Sequence, residues 1–248
     1  MKLKGIILTV LSGLIYGFTP ILCAMTYKNG NNAFTLTFFR SFLILPLLLV
    51  LMKRNGIEIK SCKSESIKMI LIGLFGSVLT TLLLYSSYAY IGVGTSTTLH
   101  FLYPLFVTLF CHFIYKDTLS KKTIIALVIA ISGIALFIDL KQLSNFKGIV
   151  MALASAVTFA IYLTGIEKLG LSKVNNYKLS FYFASTVCVS LLVINLFTGD
   201  LIFTQPFSNY LLMAVISFFA QFVAVIFLKI GIDILGSSVA SMFSMLEP

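Results

Sequence analysis

The sequence predicts an all-α membrane protein, an inverted repeat of two five-helix units in which nine helices are present and the last is truncated. Composition, the spacing of apolar runs and an internal repeat carry this prediction. Of the 248 residues, 59% are hydrophobic and 10% charged, whereas a soluble domain carries roughly 25% charged residues. The mean hydropathy is +1.04. Apolar runs near the ~20 residues that cross a bilayer recur along the chain. A membrane β-barrel would instead need ~10-residue alternating segments, and a run such as SFLILPLLLVLM does not alternate.

Expected spans are 5–27, 33–52, 67–90, 95–115, 122–138, 148–166, 178–197 and 210–230, with a ninth starting near 237. Turn-forming residues separate them: NGNN after the first span, GVG after the third, TGD after the seventh. The N-terminal stretch has no small-x-small cleavage site. Leu22, before Cys23, is too large for a lipoprotein signal, so this stretch reads as the first span. Cys23, Cys62, Cys111 and Cys188 have neither metal nor disulfide spacing and read as packing residues.

The formal net charge is +10. It reads as membrane orientation rather than as a nucleic-acid surface. With the N-terminus inside, the inner loops hold 14 basic residues: Lys2, Lys4, Lys53, Arg54, Lys60, Lys63, Lys68, Lys116, Lys121, Lys122, Lys168, Lys173, Lys178 and Lys229. The outer loops hold 3, namely Lys28, Lys141 and Lys147. Basic loops stay cytoplasmic, which puts the N-terminus in the cytoplasm. A cysteine placed at Lys60 is expected to react with an impermeant maleimide from the cytoplasmic side. Reaction from outside alone would reverse the orientation.

Short stretches recur at a nearly constant offset. Lys4-Gly5-Ile6 returns as Lys147-Gly148-Ile149, and Ser12 as Ser155. HFLYP at 100–104 returns as SMLEP at 244–248, while Phe75, Leu84 and Gly92 match Phe219, Leu228 and Gly236. The units are 1–140 and 141–248, the second incomplete. Five crossings per unit start the second unit on the opposite face, a plan that many secondary transporters use. By the repeat spacing, the chain is expected to run on by roughly 35–45 residues, completing helix nine and adding helix ten.

The segment YAYIGVGTSTTLHFLYPLFVTLFCHFIYKDTLS (88–120) has a small-residue turn at Gly92 and Gly94, a mid-helix Pro104 and an acid, Asp117, after the helix. With Tyr16-Gly17, the arginine-bearing FFRSFL and the second-unit Glu247-Pro248, it resembles the drug/metabolite transporter superfamily, specifically its EamA-like ten-helix members. The resemblance covers the whole chain. Departures are the lack of tryptophan, His100, an aspartate where the family commonly has glutamate after helix four, and the missing helix ten. The resemblance implies a secondary transporter, often an exporter of small metabolites, with amino acids or their derivatives as the first expectation.

Ionisable residues inside the membrane are costly and become candidate functional groups. Glu247 lies about ten residues into helix nine, roughly 15 Å deep, and is a candidate for binding a proton or a cationic substrate group. Ser96, His100 and Tyr103 fall on one face of helix four, and Ser244 and Glu247 on the matching face of helix nine. His titrates near physiological pH, so His100 and Glu247 form the expected proton-coupling pair; the alternative is a hydrogen-bonded packing histidine. Arg40, roughly 10 Å deep, either meets a carboxylate-bearing substrate, closes an outer gate, snorkels, or bonds backbone carbonyls. Tyr85 and Tyr88 share a face with Thr81, and Gln221 is the strongly polar residue of span eight. Together Tyr103, His100, Glu247, Gln221, Arg40, Tyr85 and Tyr88 are the expected substrate-binding set. Pro20, Pro46 and Pro104 are expected to interrupt helices. Small residues on helices one and six are expected to let these two approach closely.

No phosphate-binding Gly-x-x-x-x-Gly-Lys-Ser/Thr loop occurs, nor a His-Glu-x-x-His metal motif or nucleophile–base arrangement. ATP-driven transport and intramembrane catalysis are therefore unsupported. A non-transporting scaffold would not need a duplicated unit with polar residues at midplane. The expected function is secondary transport by alternating access, with export the expected direction. The expected partners are a small-molecule substrate and the lipid bilayer, with no cofactor, metal or nucleic acid. Lys-, Asn-, Ile- and Phe-rich usage points to an AT-rich genome and a bacterial inner membrane.

Overall fold

The computed structural model describes residues 2–118, 124–125, 127–129, 132–133 and 145–244. These residues form an all-helical bundle in which six stretches are long and apolar enough to cross a bilayer: Lys2–Lys28, Ala33–Arg54, Lys63–His100, Phe146–Lys168, Asn176–Thr198 and Phe207–Leu235. The expected span 122–138 falls mostly outside the described residues.

Helix α1 (Lys2–Lys28) shows the logic of the bundle. Leu3, Ile7, Leu11, Leu14, Phe18, Ile21 and Met25 recur every three or four residues and are exposed. The opposite face buries Gly5, Thr9, Ser12, Gly13 and Cys23. Lipid tails are as apolar as leucine, so large apolar residues gain nothing by turning inward, and small residues are left to pack helix on helix. The buried hydroxyls stay satisfied by bonding back to their own helix, as Thr9 Oγ1 does to the Gly5 carbonyl at 2.9 Å.

Small residues on α1 do not bring it to its expected partner. Gly5 instead lies against Ile234 and Leu235 of α10 (Val225–Leu235). Gly148, on α7 (Phe146–Lys168), lies against Tyr90 and Ile91 of α5 (Thr80–His100). The helices that open the two expected units thus pack on α10 and on α5 and not on each other.

The prolines divide into two groups. Pro20 sits inside an unbroken α1. Span two breaks into α2 (Ala33–Phe42) and α3 (Leu45–Arg54), with Pro46 in the first turn of α3. Pro104 likewise occupies the first turn of α6 (Tyr103–Phe113). In a first turn the missing N–H would have had no partner anyway.

Two π-helical segments interrupt long helices at corresponding places. Leu74–Leu79 joins α4 (Lys63–Gly73) to α5, and Ser217–Ala224 joins α9 (Phe207–Ile216) to α10. Two glycines also correspond. Gly92 has φ 71° and ψ 165°, where α5 kinks. Gly236 has φ 81° and ψ 158°, between α10 and α11 (Ser237–Ser244). A side chain is disfavoured at such angles, which explains glycine at both positions. Helix α8 (Asn176–Thr198) closes the bundle beside α4 and α2.

Candidate functional site

The cavity forms where these interruptions meet. Tyr16 and Pro20 come from α1, Arg40 from α2, and Gly76 and Ser77 from the first π segment. Thr81, Tyr85, Tyr88 and His100 come from α5, Tyr103 from α6, Phe159 and Tyr162 from α7, Gln221 from the second π segment and Ser244 from α11. It encloses about 90 Å³. π-helical turns frequently occur at functional sites, and here both contribute lining residues.

Six of the seven expected substrate-binding residues line this cavity: Arg40, Tyr85, Tyr88, His100, Tyr103 and Gln221. Glu247 lies outside the described residues; Ser244, three positions earlier in the sequence, is in the wall. The expected single stripe of Ser96, His100 and Tyr103 is divided. Phe101 and Leu102 form a turn, so His100 ends α5 and Tyr103 begins α6. Both still face the cavity, whereas Ser96 is buried elsewhere, its hydroxyl without a partner among the described residues.

Arg40 is held by neutral groups from both halves. Its Nε and Nη2 donate to Gln221 Oε1 at 3.0 and 2.8 Å, and its Nη1 donates to the Tyr85 hydroxyl at 2.6 Å. The guanidinium carbon also stands 5.7 Å from the Tyr85 ring centre. Tyr85 packs in turn on Tyr88, with centroids 5.5 Å apart.

His100 is oriented from behind. Its Nδ1 is 2.9 Å from Ser155 Oγ, and that hydroxyl donates its single proton to the Ala152 carbonyl at 2.6 Å. The serine oxygen must then accept from Nδ1–H, which leaves Nε2 as an acceptor. Phe159 and Tyr103 surround the ring, with centroids 5.3 and 5.5 Å away. Next to it, Thr80 Oγ1 bonds the Phe75 carbonyl at 2.9 Å and Thr158 Oγ1 at 2.7 Å. That hydroxyl caps a carbonyl of the π segment and ties the segment to α7. In the other half, Ser12 Oγ donates to the Ala224 carbonyl at 2.8 Å.

The residues that sequence reasoning missed are chiefly Tyr162 and Phe159, which look like ordinary packing aromatics in an apolar helix. The missed cluster at one end of the bundle is polar. Lys168 Nζ lies 2.5 Å from Asp117 Oδ2 and 2.9 Å from Glu167 Oε1. Glu167 Oε2 accepts from the Ser237 backbone N–H at the start of α11. This clasp joins the segment after α6 to α7 and α11, and buried Cys111 lies beside it, 3.5 Å from Ser237 Oγ. Lys229, expected in a loop, is buried in α10 and donates to the Val174 carbonyl at 2.5 Å. The opposite end of the bundle is tied by neutral groups, including Asn29 Nδ2 to Asn209 Oδ1 at 3.0 Å and Asn32 Nδ2 to the Asp200 carbonyl at 2.8 Å.

Apolar membrane-length helices around a central cavity with a few polar side chains in its wall are the frame of a polytopic membrane protein with a small-molecule site. The model of the EamA-like transporter family matches residues 3–138, more than half of the chain, and the chain belongs to that family. It is a membrane transporter of the drug/metabolite type. The uncharacterized transporter YyaM of Bacillus subtilis (strain 168) is 24% identical over 213 residues, covering 82% of this chain and 68% of that protein. A solved chain described as "Crystal structure of protein" matches with a TM-score of 0.75 at 14% identity, covering 98% of this chain and 85% of that one. That likeness shows the fold.

Proposed function

We propose that the protein is a secondary transporter that exports a small metabolite, an amino acid or derivative in the first instance, across the cytoplasmic membrane by alternating access. Its N-terminus is cytoplasmic, and the central cavity is the substrate site. The observation that carries this reading is the cavity wall, to which both halves contribute polar side chains at the level of the helix interruptions. A packing seam would have no use for a guanidinium, an imidazole and a carboxamide around unfilled space, since each is costly to hold in the membrane.

The two halves act as inverted repeats of five helices. The paired π segments and the paired conformations of Gly92 and Gly236 support this. So does the exchange of first helices, with α1 on α10 and α7 on α5. Rocking one half on the other would expose the cavity first to one side and then to the other. His100, whose Nε2 is an acceptor, and Glu247 couple the cycle to protons. The cycle makes and breaks no covalent bond in the solute, so we read the protein as a transporter and not as an enzyme.

The test is a comparative metabolite profile of the medium. Cells express the chain, His100→Gln and Glu247→Gln, with membrane insertion verified for each. A solute enriched outside by the parent and lost in His100→Gln is the expected result, and it names the substrate. Equal profiles for all strains and for the empty vector would sink export and favour a non-transporting scaffold. An unchanged rate and pH dependence in Glu247→Gln would remove the coupling role.

A further inference from the structure

Arg40 is a cation placed at the cavity wall, and its hydrogen-bond partners among the described residues are neutral. Its three hydrogen bonds go to a carboxamide oxygen and a phenol. Among the described residues the ion pairs are those of Lys168, in the clasp at the end of the bundle, and no carboxylate stands at Arg40. An arginine held within a membrane span is costly and calls for a partner. Gln221 and Tyr85 orient the charge, and among the described residues nothing neutralises it.

Donor counting sharpens the picture. A guanidinium has five N–H donors. Gln221 takes one from Nε and one from Nη2, and Tyr85 takes one from Nη1. Two donors remain, one on each terminal nitrogen. A carboxylate can accept from donors of this kind through charge-assisted bonds, which are stronger than neutral ones. Gln221 and Tyr85 come from different halves of the chain, so the side chain is braced from both sides while its remaining donors stay available.

We propose that Arg40 is an anion subsite and that the transported solute carries a carboxylate, which takes these two donors. The proposal rests on the reading of the cavity as the substrate site. Gln221 and Tyr85 are positioning residues, because they act through Arg40.

The test uses the purified full chain in detergent and follows its thermal unfolding midpoint with matched acids and amides. The probes are propionate and propionamide, phenylacetate and phenylacetamide, and L-alanine and L-alaninamide. At least one acid is expected to raise the midpoint while its amide does not. Arg40→Gln is expected to weaken that acid by about tenfold or more, the value of a hydrogen bond to a charged group. Arg40→Lys is expected to recover only part, because an ammonium is a point charge without the fork. The acid–amide comparison on the parent protein does not depend on any variant folding.

Amides binding as well as acids, acids binding Arg40→Gln unchanged, or no acid binding at all would each overturn the proposal. So would acids that bind only to Glu247→Gln, since Glu247 would then be the counter-ion of Arg40. The two readings fail separately. Acid binding without any solute enriched in the medium would keep the subsite and remove export. An enriched solute lacking a carboxylate would keep transport and remove the subsite.

Discussion

Gly76→Val is expected to abolish solute transport and to destabilise the protein by about 1–3 kcal/mol, the usual cost of overpacking a filled site. Gly76 lies in the first π segment, and a Cβ built there would overlap the Tyr162 ring. The ring has little room to retreat. It stacks on Phe159, with centroids 5.6 Å apart, and its other neighbour is Phe183 at 5.3 Å. Gly76, Phe159 and Tyr162 all line the cavity, so any displacement of the ring reshapes the site. Gly94→Ala is the control, because nothing lies within 4 Å of the Cβ it would add. Solute transport and the thermal midpoint, measured together for both variants, check the prediction. Near-parental transport in Gly76→Val would mean that this wall gives way more easily than its packing indicates.

Lys168→Met is expected to make Cys111 reactive toward a maleimide. Lys168 is the cation between Asp117 and Glu167, and without it the two carboxylates face each other across the joint of α7, α11 and the segment after α6. These side chains are partly exposed, at 19% for Lys168, 42% for Asp117 and 26% for Glu167, so solvent screens the pairs. Removing them is worth about 1 kcal/mol, roughly fivefold in the population of the opened joint. Cys111 is the natural reporter, being 1% exposed beside Ser237. Cys62 is exposed and should first be replaced by serine. Peptide mapping then identifies the labelled cysteine, and Lys168→Arg should restore protection. Equal labelling of Cys111 with and without Lys168 would show that the clasp does not hold this end shut.

Both predictions act on features that no single stretch of the chain announces. The polar cavity residues were legible for a physical reason. Holding Arg40, His100 or Gln221 in a membrane is expensive, so each stands out against its apolar run and invites a functional reading. Tyr85, Tyr88 and Tyr103 came with them through helical spacing. Phe159 and Tyr162 carry no such cost, and their part in the wall depends on the neighbours that α7 meets.

The sequence by itself determined the class of the molecule, its main spans, the family resemblance and most of the polar residues at the cavity. Hydropathy and the price of burying charge are local properties and can be read along one dimension. Only the tertiary structure decided the partners. It set α1 against α10 and α7 against α5, where small residues had suggested that the two first helices meet. It ended α5 at His100 and began α6 at Tyr103, so a stripe expected on one helix became two groups converging from two. It also joined Lys168 to Asp117, 51 positions apart in the chain. Small residues permit close approach without specifying which surface approaches, and a charge does not name its counter-charge. Those choices are made when the whole bundle packs.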